Sequence, residues 1–173
     1  MKTTEVLEIL RVVAWILFIG LCINTGAMLT SFLVRMFAGS ESTTYMFSGV
    51  DLSQLYAVNK WYFIIMASLI VLLSGLKAYL FFQVIKIISK VNIAHPFTEY
   101  VGDHISKMSS IALQIGITAL LTNGFANWLV ENQSQFTYEG GETEFLFLAG
   151  ILFVIAQIFK RGVELQSENE LII

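Results

Sequence analysis

Four apolar stretches dominate this 173-residue chain and limit what it can fold into. They run from Val12 to Val34, from Trp61 to about Ile85, from Ser109 to Val130 and from Phe145 to Phe159. A helix rises about 1.5 Å per residue and a bilayer's hydrocarbon core is about 30 Å thick, so roughly 20 residues make a crossing. The first three stretches reach that length. The fourth covers only about 22 Å at the same rise, and is expected to complete its crossing by sending Lys160 and Arg161 to the lipid headgroups. Hydrophobic residues make up 56% of the chain and charged residues 13%, whereas soluble domains hold about 25% charged residues. One soluble core of this size cannot bury so much apolar surface. Glu5 and Glu8 ahead of a long first stretch read as the start of a retained span, not a signal peptide. The sequence thus predicts an all-α membrane protein, a single-domain bundle of four transmembrane helices.

Orientation follows from the basic residues. Lys2 and Arg11 precede the first span, Lys86, Lys90 and Lys107 lie between the second and third, and Lys160 and Arg161 follow the fourth. The other two connections hold only Lys60, with Arg35 at the end of the first span, and the stretch from Glu131 to Glu144 has no basic residue. This asymmetry predicts cytoplasmic N- and C-termini, outer loops over 38–60 and 131–144, a cytoplasmic hairpin over 86–108 and a cytoplasmic tail over 160–173. In the outer loops, residues 43–47 and 135–138 contain β-branched and aromatic residues and lead into glycine turns, so they are expected to pair as a small extracytoplasmic β-sheet cap. On the inner side, Pro96 separates two helices and Thr98 is placed to cap the next one, with Glu99 in its first turn.

Lys77 is the most unusual residue, because a charge at the membrane centre costs roughly 2.5–3.5 kcal/mol on insertion scales. Two readings stand: a contact for an anion, substrate or Glu164, or snorkelling of the long side chain to the inner interface. Gln114, Thr118 and Thr122 follow at spacings of four and share one helix face. With Gln157 of the fourth span, Lys77, Gln114 and Thr118 form a candidate intramembrane polar site. Gln157 and Asn24 are also expected to hydrogen-bond across the bundle. Catalytic chemistry finds little support. His95, Asp103 and His104 match no helical metal-binding spacing, Cys22 is the single cysteine, and no phosphate-binding glycine loop or nucleophile motif occurs. The chain reads as non-enzymatic, with no catalytic, cofactor-binding or metal residue. A net charge of −3 gives no basic footprint for direct nucleic-acid binding.

Two segments carry a family resemblance. His95-Pro96-Phe97-Thr98 resembles the Asn-Pro-Phe-Thr element of the domain of unknown function 2975 family of bacterial membrane proteins, with His95 where that family has asparagine. The ending from Phe159 to Leu171 resembles that family's Phe…Gly…Leu…Glu-Asn-Asp-Leu-Thr-Val pattern, closing here on Leu-Ile-Ile. The family brings no established activity. Its genes often lie beside one for a small Cro/CI-type helix-turn-helix regulator. The resemblance therefore implies an inner-membrane signalling protein, a sensor or anchor that binds and modulates such a regulator. Pro96, Phe97, Leu165, Glu168 and Leu171, in the cytoplasmic hairpin and tail, are the candidate docking residues. The alternative is a small transporter or channel, a homo-oligomer that uses Lys77 and the polar face of the third span.

Overall fold

The computed structural model describes residues 3–38, 52–91, 97–133, 138 and 141–170. Five helices and no strand occur among them. The expected β-sheet cap falls almost wholly on residues outside the described ones, as do Pro96 and Leu171.

Each helix begins or ends for a local reason. α1 (Thr3–Ala38) has Glu5 in its first turn and Arg35 in its last, the charge order that the helix dipole favours. α2 (Ser53–Val58) is a short helix inside what the sequence presents as a loop, and it is held down by the buried Leu52 and Leu55. α3 (Lys60–Lys90) starts where the Asn59 side chain accepts the Trp61 N–H at 2.9 Å, and stops where Val91 turns to extended backbone. α4 (Glu99–Gln133) is opened by Thr98, whose Oγ1 accepts from the Val101 N–H at 3.4 Å and whose carbonyl accepts from Gly102. The turn before α5 (Glu144–Glu170) is closed by the carbonyls of Glu142 and Thr143, which accept from Phe145 and Leu146. Residues 160–170 of the expected cytoplasmic tail are helical and continue α5 to Glu170.

α1, α3, α4 and α5 are each long and apolar enough to cross a membrane. They pack in chain order, α1 on α3, α3 on α4 and α4 on α5, so α3 and α4 form the centre of the bundle. α1 and α5 flank that pair and leave most of their apolar surface exposed. Successive long helices are antiparallel, which puts the start of α1 and the end of α5 at one end of the bundle, here called the terminal end. The opposite end is the loop end.

Lipid chains are as apolar as leucine, so close packing and hydrogen bonds must hold such helices together. Between α1 and α3, the Thr25 and Ser74 hydroxyls meet at 2.7 Å. At the terminal end, Arg11 of α1 donates to the carbonyl of Ser89 at 3.3 Å, answering a carbonyl in the last turn of α3. Between α4 and α5, Ser109 donates to the Ala149 carbonyl at 3.0 Å. The expected bond between Asn24 and Gln157 is replaced by these pairs, because α1 and α5 share no packed interface.

The core has three layers. At the loop end, Met28, Leu52, Leu55, Phe63, Met66, Ala126 and Leu129 cluster, with Tyr138 packed against them. The middle layer joins Leu73, Leu80, Ile111, Ile115 and Ala119 to Phe145 and Leu148. The third joins Val101, Ile105 and Ala156 to Ile87, Leu152 and Phe159. α5 therefore contributes to the middle and terminal layers only. Its start is seated on Gly116, where an added Cβ would lie 2.5 Å from Leu146 Cδ2 and 3.0 Å from the Leu146 backbone nitrogen.

A Gly116→Ala protein should accordingly lose about 1–3 kcal/mol of stability through overpacking, read by denaturant titration in detergent micelles. Gly124→Ala is the control, since an added Cβ there meets nothing within 4 Å.

Candidate functional site

The depth at which α5 begins decides where charge lies inside the bundle. Leu146 rests on Gly116, and about 25 Å of helix rise separates Gly116 from the loop end of α4. Lys77 lies about the same distance below the loop end of α3. The two levels coincide, and there Lys77 forms an ion pair with Glu142, Nζ donating to Oε1. Both side chains are about a quarter exposed, and the second carboxylate oxygen of Glu142 is buried with no hydrogen-bond partner.

Gln133 closes α4 at the loop end, so the chain comes back by about 25 Å before α5 starts. Ten residues reach roughly 35 Å when extended, enough for that return. The described residues on it, Tyr138, Gly141, Glu142 and Thr143, are non-helical. α5 thus begins level with the middle of α3 and α4. At hydrocarbon depth, irregular backbone is tolerated where protein covers it or where it lines a wet cavity. The packing of Tyr138 into the loop-end core meets the first condition.

Charge is stabilised here from three directions. Lys77 and Glu142 neutralise each other, and the carboxylate also sits at the N-terminal, positive end of α5. Partial exposure of both groups lowers the cost of taking them from water. The arrangement can hold α5 to α3 as a latch. A ligand charge that competes for either partner, or protonation of the carboxylate, would release it.

The candidate polar site read from the sequence is therefore differently composed. Lys77 neither snorkels to the near interface nor reaches Glu164, which accepts from Arg161 at 2.7 Å instead. Thr118 is buried, but its hydroxyl donates to the Gln114 carbonyl of its own helix, as Thr122 does to Thr118. The side chains of Gln114 and Gln157 are exposed on α4 and α5. Among the described residues, none of these three joins the ion pair. Glu142, which does, was assigned to an outer loop. The signal for it was the shortness of the fourth apolar stretch, which fits a helix that starts level with the middle of its neighbours.

At the terminal end, Phe97 packs on the Phe159 ring at 5.2 Å and against Gly162, where an added Cβ would lie 2.5 Å from the ring. Phe97 and Leu165 remain partly exposed, and Glu168 is exposed one turn beyond Leu165. Beside them, Glu99, Gly102, Asp103, Lys160, Val163 and Glu164 line a pocket of about 260 Å³. His104 turns away from any such site: its ring nitrogen Nδ1 donates to the Tyr100 carbonyl at 2.9 Å and its ring lies 4.1 Å from that of Tyr100. Lys90 covers the same Tyr100 ring at 4.6 Å. Among the described residues, no three of His, Cys, Asp and Glu converge as metal ligands would.

The family model described as protein of unknown function (DUF2975) matches residues 47–173. The chain belongs to that family. No curated protein and no solved structure matches it. The region shared with DUF2975 begins after α1 and takes in both partners of the ion pair, Lys77 and Glu142, together with the Phe97–Gly162 contact. α1 lies outside the match.

Lys77→Met and Glu142→Gln should each destabilise the chain by roughly 1–3 kcal/mol, less than for a fully buried pair because both groups are partly exposed. The double variant should lose clearly less than the sum of the two. Equilibrium unfolding of all four proteins measures the coupling.

Proposed function

We propose that this protein is a non-enzymatic sensor or anchor in the inner membrane of a bacterial cell. Both termini lie in the cytoplasm, and the terminal end binds and modulates a small Cro/CI-type helix-turn-helix regulator. One observation carries the reading. α5 is a single helix about 40 Å long that leads from the Lys77–Glu142 pair to the docking candidates Leu165 and Glu168. Release of the pair frees the start of α5, and a rigid helix passes that shift to its other end. There Gly162 bears on Phe97, so the surface offered to a partner changes with the state of the pair. The basic residues at the terminal end, Arg11, Lys86, Lys90, Lys107, Lys160 and Arg161 among them, support the cytoplasmic orientation.

Deleting residues 166–173 should abolish co-purification of a co-expressed Cro/CI-type regulator while the shortened chain still inserts. Recovery of the regulator at normal yield with the truncated protein would reject the docking role. For the orientation, Glu131→Cys in a Cys22→Ala background should react with a membrane-impermeant thiol reagent in intact cells. Lys160→Cys should react only after lysis.

The ion pair also favours one other reading, a small oligomeric transporter or channel. Transport sites commonly sit near the bilayer midplane, where a crossing helix is interrupted, and α5 begins at the level of Lys77 after the non-helical Gly141, Glu142 and Thr143. A Lys77→Met protein with undiminished solute flux in proteoliposomes would count against this role.

A further inference from the structure

Arg35 lies in the last turn of α1, where α2 covers the loop end of α3. It is only 7% exposed, and its Nε is buried without an acceptor. No carboxylate pairs with it among the described residues. Its guanidinium carbon stands 5.8 Å from the Tyr56 ring centroid and 5.9 Å from that of Phe63, and the two rings meet edge to face at 5.3 Å. Three helices thus wall in one cation.

The aromatic faces answer part of its charge, but they accept none of the in-plane N–H bonds. Burial of a guanidinium is costly until an anion completes it, and the planar fork of arginine matches the two oxygens of a phosphate. The surroundings agree. Lys60 is exposed three positions before Phe63, on the same side of α3. Trp61, 71% exposed, marks the level of the lipid headgroups at this end. The exposed Glu131 is the sole acid in the loop-end turns of α1, α3 and α4 among the described residues.

We infer that Arg35 anchors an oxyanion site under α2 that takes a phosphate group, carried either by a lipid headgroup or by a small solute. The site is separate from the Lys77–Glu142 pair and does not depend on the role proposed for that pair.

The full chain, purified in a maltoside detergent and phosphate-free buffer, provides the test. Its melting temperature is followed with added phosphatidylglycerol, with inorganic phosphate, and with a glucosyl diacylglycerol that has the same tails but no phosphate. At least one phosphate probe should raise the midpoint by about 5 °C or more at a hundredfold excess over its Kd. A rise with phosphatidylglycerol alone assigns the lipid as the source, and a rise with inorganic phosphate assigns a solute. Arg35→Lys, which keeps the charge and loses the fork, should bind the active probe roughly tenfold more weakly, and Arg35→Gln should not respond. The inference is overturned by an unresponsive wild type, by an equal response to the glycolipid, or by an Arg35→Lys protein that binds as well as wild type. It also fails if Glu41→Gln or Asp51→Asn destabilises the chain as much as Arg35→Gln, since Arg35 then has its counter-ion within the chain.

Discussion

The meeting of Lys77 and Glu142 ties the fourth helix to the depth at which it starts. Neither charge is stable alone at that level of an apolar bundle, so the chain has to bring them together, and doing so draws the start of α5 down to the middle of α3 and α4. The remaining features of that side follow. Leu146 bears on Gly116, because helices separated by so short a distance leave no room for a side chain between them. Tyr138 packs against the loop-end core, above the level at which α5 starts. The far end of α5 runs past the start of α4 by about 12 Å, counted from the Phe97–Gly162 contact.

The other side of the bundle is built differently. α1 is attached to α3 at several depths, by the polar contacts of Arg11 with Ser89 and Thr25 with Ser74 and by the rings of Phe32 and Phe63 near the loop end. Interhelical hydrogen bonds inside membranes average about 0.6 kcal/mol, so side-chain packing holds this seam together with them. α1 itself lies outside the family match. The matched region takes in α2, the α3–α4 pair and α5, while α1 lies along one flank of it.

Much of the fold was legible because hydropathy reports apolar length directly: the four crossing helices and the family could both be read from the residues. The caps at Asn59 and Thr98 also lay within reach of local chemistry. The candidate site was legible by half. Lys77 stood out as a charge among apolar neighbours, but nothing local to it names a partner 65 residues away. Glu142 is surrounded in sequence by glycine and other acids, which a hydropathy reading sends to water. Gln114, Thr118 and Gln157 looked equally polar, yet a threonine in a helix can satisfy its hydroxyl on its own backbone, as Thr118 does. Helical spacing therefore located a face without showing that the face has a function. α2 was missed because six residues are too few for a periodic signal.

Packing in chain order bears on how the protein is made. Each helix finds its neighbour as soon as the next one has been synthesised, so most of the bundle can assemble while the ribosome is still at work. The lysine is the exception. It is translated 65 residues before its glutamate, a delay of several seconds at about 5–20 residues per second. Throughout that interval the nascent hairpin must keep a solitary cation in or near the lipid, which the long aliphatic stem of lysine allows by bending toward the nearer headgroups. Arrival of the last helix then ends that exposure, making insertion of α5 the step that commits the molecule to its finished form.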